Sequence, residues 1–172
     1  GDVSNPGFVP ELARAMPDTT FYATFAPKDS PSNVIQTGLL DRATMKEFIQ
    51  HAAVILSPIK ETFGILTLEA MASGIPVVGY AYGGNLDTIK HGVTGYLAQP
   101  NNIEDLIAGI EYCVKFRTIL SKNSREEAKK YKWDEVCKTL AGIYEKAIQP
   151  DPPTVSIIIP SYNYANMVGR AI

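Results

Sequence analysis

Two glutamates and a glycine stand at a spacing that could place them around one anionic ligand. They are Glu61, Gly64 and Glu69, within the run ETFGILTLEAMASGIPVV at residues 61–78. Gly64 lies where a loop is expected to pass into a helix, so amides without intrahelical partners and the positive end of the helix dipole would face the ligand. A diphosphate fits such a site. The amides concerned are those of Phe63, Gly64, Ile65 and Leu66.

The two carboxylates could hold hydroxyl groups beside that diphosphate. Glu69, further along the predicted helix, could accept hydrogen bonds from two ribose hydroxyls, and Glu61, just before the helix, could bind another set. Gly64 has no side chain to block a close approach of the ligand. These residue types and this spacing therefore indicate a site for a nucleotide that carries a hydroxyl-rich group.

The same helix also has a purely structural interpretation. An amphipathic helix with Ile65, Leu68 and Met71 in the core would carry two incidental surface glutamates, and the spacing alone leaves this alternative open. In either case Gly74 predicts a left-handed stop, and Pro76 prevents the helix from continuing into the next strand.

Elements of two periodicities alternate along the first hundred residues. Runs rich in β-branched or aromatic residues lie at 20–25, 34–37, 53–56, 76–80 and 96–98,. Residues of helical period lie between them, as Phe8, Leu12, Ala13 and Met16, then Met45, Phe48, Ile49 and Ala52, then Ile65, Leu68, Met71 and Ala72,. The alternation predicts an α/β fold, a Rossmann-like parallel sheet flanked by helices.

After Pro100 the pattern becomes wholly helical. One apolar face runs over 103–114 and another over 136–147, and Asp134 is the predicted N-cap of the last helix,. The run QPDPP at 149–153 predicts a linker, because proline lacks an amide donor and restricts the residue before it. We therefore expect a domain at 1–148, a linker at 149–153 and the beginning of another domain at 154–172.

Composition limits the classes of function. The chain has 172 residues, of which 45% are hydrophobic and 20% charged, which is the balance of a soluble globular protein,. A net charge of -2 provides no basic field for a polyanion, so nucleic acid is not an expected partner,. The small basic cluster of Arg125, Lys129, Lys130 and Lys132 is interpreted as a solvated helix face.

The cysteines and acidic residues predict no metal site. Cys113 and Cys137 stand far apart without zinc-ligand spacing or a disulfide framework, and no Asp-x-Asp motif occurs,. A reducing, cytoplasmic compartment is therefore expected. No apolar run approaches the roughly 20 residues that span a bilayer.

The wider string around the glutamates resembles the retaining glycosyltransferases of family 4, which have the GT-B fold of two facing Rossmann-like domains. The resemblance covers about residues 5–148. It rests on Glu61, Phe63, Gly64, Glu69, Ala70, Met71, Gly74, Pro76 and Val77, on Gly83 and Gly84, on Gly92 and Gly95 in HGVTGYL, and on Trp133 with Tyr144.

This resemblance implies roles for individual residues. Glu69 is similar to the glutamate that holds the ribose, and Glu61, the candidate catalytic residue, to the one that faces the transferred sugar and its phosphates. The amides of residues 63–66 would cradle the sugar hydroxyls and the diphosphate of a nucleotide sugar, which is a donor substrate and not a cofactor. The edge formed by Gly38 to Leu40 would border the base. Gly83 and Gly84 either line the pocket or only close a turn.

Part of the family pattern is not matched. Family members open this domain with a central strand, followed by an arginine and a lysine that bind the donor's phosphates, and Ser4 stands about where that lysine is expected. The acceptor half of a GT-B enzyme precedes this domain. Since transfer needs donor and acceptor held face to face, we expect little or no transferase activity from this chain alone.

The last residues carry a second resemblance. TVSIIIPSYNYANMVGRAI, at 154–172, is similar to the opening of a family 2 glycosyltransferase of GT-A fold, which brings Pro160, Tyr162 and Asn163 to the nucleotide base. Together the two resemblances imply tandem transferase domains in surface polysaccharide synthesis, with a glycan or lipid-linked acceptor and peripheral association with the inner membrane face. Residues 155–160 are apolar enough to occupy a central strand position in their own or a neighbouring chain.

Three functions follow as alternatives. The first is the donor domain of a glycosyltransferase, which the motif string favours. The second is a non-catalytic binding or assembly module. The third is a related GT-B enzyme such as a sugar-nucleotide epimerase or a phosphorylase, although no residue indicates the pyridoxal phosphate lysine of a glycogen-type phosphorylase.

Overall fold

A computed structural model describes residues 8–59 and 61–148. The chain divides into two compact units at the boundary between Ala128 and Lys129. The linker and second domain expected at 149–172 lie outside the described residues, as does the strand exchange expected of 155–160.

Five strands and seven helices are described, and the five strands lie within two residues of the predicted runs. In chain order they are α1 (Phe8–Ala15), β1 (Phe21–Ala23), β2 (Val34–Gln36), α2 (Arg42–His51), β3 (Ile55–Ser57), α3 (Ile65–Ser73), β4 (Val77–Tyr80), α4 (Asn85–Thr88), β5 (Gly95–Ala98), α5 (Ile103–Lys115), α6 (Arg117–Ala128) and α7 (Trp133–Ala147).

All the strand pairs are parallel, and they form two groups. β1 pairs with β2, and β4 pairs with β3 on one side and β5 on the other. Every residue of β4 is buried, as expected for the central strand of a parallel sheet with both faces covered. The predicted α/β fold with parallel strands and flanking helices is confirmed.

Two apolar clusters lie on opposite faces of β4. Val78 belongs to the cluster that contains α1 and α5 residues, whereas its neighbour Val77 belongs to the cluster formed with α2 and α3. Successive side chains of a strand point to opposite faces. The helix that carries Glu69 is therefore packed on one face of the sheet, between α2 and α6.

The predicted start of α7 is wrong by two residues. Its N-cap is Lys132, whose side chain makes no capping hydrogen bond, and Asp134 lies in the first turn. A carboxylate in the first turn still interacts favourably with the helix dipole, so the charge pattern that suggested a cap is explained by this position.

Candidate functional site

The N-terminus of α3 is capped by a residue that has no side chain. Gly64 is the N-cap, in the left-handed region at φ 90° and ψ 56°, and no side chain caps the helix. The Leu68 amide donates to the Gly64 carbonyl over 3.0 Å. The amides of Ile65 and Leu66 precede that bond, and helix geometry gives them no intrahelical acceptor. The predicted loop-to-helix transition at Gly64 is confirmed.

At its other end α3 stops at the predicted glycine. Gly74 has a φ of 77° and donates its amide to the carbonyls of Ala70 and Met71. A left-handed glycine satisfies the last carbonyls of a helix in this way. The two glycines thus set a helix of nine residues.

The structural interpretation of α3 holds for Met71, which is buried, and for Leu68, which packs against the same apolar cluster, but not for Ile65. Thr67, Ala70 and Met71 are buried, whereas 66% of Ile65 and 39% of Leu66 remain exposed. Ala72, which also belonged to the predicted core face, is exposed. An apolar residue in the first turn that does not face the core is available to contact a ligand.

Glu61 lies in the loop before α3, half-buried. Its Oε1 accepts a hydrogen bond from the Thr62 amide over 2.9 Å. Its own amide donates to the Ile59 carbonyl, and its carbonyl accepts from the Gly84 amide over 2.8 Å. The main chain of Glu61 is thus fixed on both sides. Glu69, by contrast, is exposed on α3.

The paired glycines after β4 have different structural tasks. Gly83 takes a positive φ of 56° in the turn that leads into α4. Gly84 has ordinary helical angles, but a Cβ on it would lie 2.6 Å from the Thr62 carbonyl oxygen and 2.7 Å from the Phe63 nitrogen. The Glu61 loop therefore rests directly on the Gly84 backbone, a contact that the sequence did not indicate.

One buried hydroxyl close to this loop has no partner. Thr67 is 1% exposed, and its Oγ1 makes no hydrogen bond. A Cβ on Gly64 would lie 3.2 Å from that oxygen and 3.4 Å from Cγ of Glu61. The Thr67 hydroxyl and the Glu61 side chain thus converge at the glycine that caps α3.

The predicted base-binding edge follows β2. Gly38 has a φ of 69° and donates its amide to the Thr24 carbonyl over 3.1 Å. Leu40 is half-buried. Among the described residues no hydrogen bond joins Gly38 or Leu40 to Glu61, Gly64 or Gly84, so their role at the site stays a prediction.

Arg125 is exposed on α6, as its interpretation as part of a solvated face expects, but it also makes a contact that the sequence did not indicate. Its Nη2 donates to the Ser73 carbonyl over 3.0 Å, and its guanidinium lies where a Cβ of Gly74 would be. Arg125 therefore contacts the C-terminus of α3, where a cation also complements the helix dipole. The sequence could not show this contact, because the two residues that it joins are 52 positions apart.

The described residues contain neither a cluster of metal-ligating side chains nor a helix that could cross a membrane. Within 8–59 and 61–148 there is no group of three or more His, Cys, Asp and Glu side chains able to hold a metal ion. In the same residues no helix is both long enough and apolar enough to cross a membrane.

Solved structures similar to this chain are GT-B glycosyltransferases. Sucrose-phosphate synthase from Thermosynechococcus elongatus aligns with a TM-score of 0.65 and 26% identity, over 72% of this chain and 32% of the other. At 19% and 16% identity, two further structures show the fold alone. They are a pneumococcal O-GlcNAc transferase in complex with UDP and GlcNAc, with a TM-score of 0.63 over 83% of this chain and 32% of the other, and an Anabaena protein in complex with UDP-glucose, with a TM-score of 0.63 over 85% and 56%.

Sequence comparison gives the family. Residues 28–132, more than half of the chain, match the family described as glycosyl transferases group 1. An uncharacterized glycosyltransferase of Methanocaldococcus jannaschii is 33% identical over 67% of the chain, and sulfoquinovosyl transferase of Arabidopsis thaliana is 36% identical over 56%. This chain spans 31% and 20% of their respective lengths. The chain belongs to the group 1 glycosyl transferases.

Proposed function

We propose that residues 61–69 form the donor site of a glycosyltransferase that uses a nucleotide-diphosphate sugar. The observation that carries the proposal is the uncapped N-terminus of α3, which lies between Glu61 and Glu69. The amides of Ile65 and Leu66, which have no intrahelical acceptor, and the positive end of the helix dipole attract a diphosphate, and the exposed side chains of the same two residues border them. Two structures similar in fold were solved in complex with UDP or UDP-glucose.

The residue roles in this proposal are those that the resemblance to family 4 implies. The diphosphate accepts hydrogen bonds from the amides of 63–66, Glu69 binds the ribose hydroxyls, and Glu61 faces the transferred sugar. The Gly38–Leu40 edge borders the base, Gly84 supports the Glu61 loop, and Gly83 shapes the turn before it. Glu61 precedes the first turn of α3 and Glu69 lies within the helix, so the amides at the helix start lie between them along the chain.

In the whole protein we propose transfer with retention of configuration, as in family 4, to a glycan or lipid-linked acceptor during surface polysaccharide synthesis. The bond between the anomeric carbon and the diphosphate oxygen breaks, a new bond forms to an acceptor hydroxyl oxygen, and the proton of that hydroxyl passes to the departing diphosphate. The nucleoside diphosphate leaves. The cytoplasmic face of a membrane and a following family 2 domain belong to the same proposal.

Calorimetric titration with UDP- and GDP-sugars tests the donor site. We expect dissociation constants in the micromolar to millimolar range, and Glu69→Ala should weaken binding by about tenfold or more, as expected for loss of hydrogen bonds to a charged group. Glu111→Ala, which removes an exposed glutamate from α5, is the matched control and should bind like the original chain.

The two halves of the ligand give a second comparison. Glu61→Gln should weaken binding of UDP-glucose more than binding of UDP, because Glu61 is assigned to the sugar. If Glu69→Ala and Glu111→Ala bind equally well, the assignment of Glu69 is wrong. If no nucleotide or nucleotide sugar binds the original chain, the donor-site proposal is wrong for this chain.

A further inference from the structure

Asn85, the first residue of α4, has a buried side chain with three hydrogen bonds. It is 0% exposed. Its Nδ2 donates to the Ser57 carbonyl over 3.0 Å and to the Tyr80 carbonyl over 3.1 Å. Its Oδ1 accepts from the Ser57 hydroxyl over 3.3 Å. The asparagine amide has two N–H donors and one oxygen acceptor on a planar group. The nitrogen makes two of these hydrogen bonds and the oxygen makes the third.

These partners are the last residues of two adjacent strands. Ser57 ends β3 and Tyr80 ends β4. A Cβ on Gly79 would lie 2.8 Å from Nδ2 of Asn85, so this glycine leaves the space that the amide occupies. The amide therefore joins the carboxyl ends of β3 and β4 to the start of α4.

The residue before Asn85 supports the Glu61 loop. Gly84 donates its amide to the Glu61 carbonyl over 2.8 Å and lies against Thr62 and Phe63. Its carbonyl accepts from the buried Thr88 hydroxyl over 2.9 Å. The Gly84 peptide, which contacts the loop, is thus held by the buried Asn85 side chain and by the hydrogen-bonded turn of α4.

We propose that Asn85 is a positioning residue for donor recognition: by fixing Gly84 against the ends of β3 and β4, it holds Glu61 in place for the sugar. This inference rests on the proposed donor site. It adds a residue that touches neither nucleotide nor sugar. It differs from a role in folding alone, because a loop displaced at Glu61 should affect the sugar more than the nucleotide.

Asn85→Ser tests the inference, and Asn33→Ser is its matched control. Asn33 also uses its Nδ2 to bind three carbonyls, those of Ala13, Met16 and Thr19, at 2.9–3.1 Å. Both substitutions remove hydrogen bonds of a side-chain amide, which is buried in Asn85 and half-buried in Asn33. Only the first removes them beside the Glu61 loop.

The first measurement compares UDP with UDP-glucose, and GDP with GDP-mannose, by calorimetry. Asn85→Ser should raise the dissociation constant of the sugar-bearing ligand about tenfold more than that of the diphosphate, the change expected from about one lost hydrogen bond to a charged group. Asn33→Ser should leave this ratio unchanged. Equal weakening of both ligands by Asn85→Ser would overturn the inference.

The second measurement needs no ligand. Hydrogen exchange of the Thr62 and Gly84 amides should accelerate in Asn85→Ser by about tenfold relative to Asn33→Ser, because both amides donate to atoms of Glu61. Unchanged exchange at these amides would overturn the inference even where ligand binding is detected. If the original chain binds no nucleotide, the proposed function fails while exchange still decides whether Asn85 holds the loop.

If Asn85→Ser does not fold, neither measurement can be made on it, so a second, milder substitution is tested as well. Ser57→Ala removes only the hydroxyl that donates to Oδ1 of Asn85. It should shift the same ligand ratio in the same direction by about threefold, since a neutral hydrogen bond contributes less than a charged one. No shift in a folded Ser57→Ala chain, together with unchanged Thr62 exchange, would overturn the inference.

Discussion

Replacing Gly84 by alanine perturbs the support of the Glu61 loop with a single methyl group. The backbone angles of Gly84, φ -61° and ψ -18°, suit alanine, so no conformational strain arises at the residue itself,. The new Cβ would lie 2.6 Å from the Thr62 carbonyl oxygen and 2.7 Å from Cα of Phe63. These are backbone atoms that cannot rotate away, so the loop must move by several tenths of an ångström.

The size of the effect follows from two opposing contributions. Inserting a methyl group into a packed contact costs about 1–3 kcal/mol, whereas Gly→Ala at compatible angles stabilises by about 0.4–1 kcal/mol through the unfolded chain. The difference between these ranges is about 0–2.6 kcal/mol, and we expect Gly84→Ala to lower the free energy of unfolding by about 1–2 kcal/mol, in the middle of that span. For a chain of this size that corresponds to a fall in Tm of roughly 2–8 °C.

Urea denaturation measures the loss of stability in Gly84→Ala. Calorimetric titration with the best-binding nucleotide sugar measures the loss of donor affinity expected from the displaced Glu61 loop. Gly142→Ala is the control, since a Cβ at Gly142 meets nothing within 4 Å, and replacing a glycine inside α7 should stabilise that helix by up to about 1 kcal/mol. If Gly84→Ala matches the original chain in both stability and donor affinity, the loop does not depend on this contact and the reasoning is refuted.

Four further outcomes are expected. Thr67→Val removes a buried hydroxyl without a partner and should raise the free energy of unfolding by about 1 kcal/mol in urea denaturation; a less stable chain would show that the hydroxyl is bonded. Arg125→Ala should destabilise by about 1 kcal/mol by leaving the Ser73 carbonyl without its donor, and an unchanged urea midpoint would contradict this,. Burial raises the pKa of the Cys113 thiol to about 12, so a thiol reagent at pH 8 should modify exposed Cys137 and reach Cys113 only after unfolding. Because the pKa of this thiol is higher in the folded chain than in the unfolded chain, the free energy of unfolding should fall as pH rises above about 9, where the unfolded chain begins to lose the thiol proton. Alkaline denaturation would detect this fall.

Local sequence was sufficient for the strands and for the ends of α3. Short β-branched runs between polar turns predict buried parallel strands, and Gly64 and Gly74 mark the helix because left-handed backbone angles suit glycine best. These features depend on the residues themselves and on their nearest neighbours. They could therefore be predicted without knowledge of the tertiary structure.

The features that the sequence did not predict depend on distant residues. Asn85 binds Ser57, 28 positions earlier in the chain, and α4 has only four residues, too few for a helical period. Ile65 suits a core position by composition, but its side of α3 is turned away from the packed face. Contacts between residues far apart in the chain determine both the hydrogen bonds of Asn85 and the exposure of Ile65. The periodicity of the sequence could not predict them.

The attachment of α3 at both ends has a consequence for binding thermodynamics. Its first turn follows a loop fixed through Gly84, and its last carbonyls are bonded by Gly74 and Arg125. A ligand that meets the free amides finds them already aligned, so little chain entropy is lost when it binds. Donor binding at the start of α3 should therefore show a heat capacity change that reflects the buried ligand surface alone. The larger change that accompanies folding of a segment on binding should be absent.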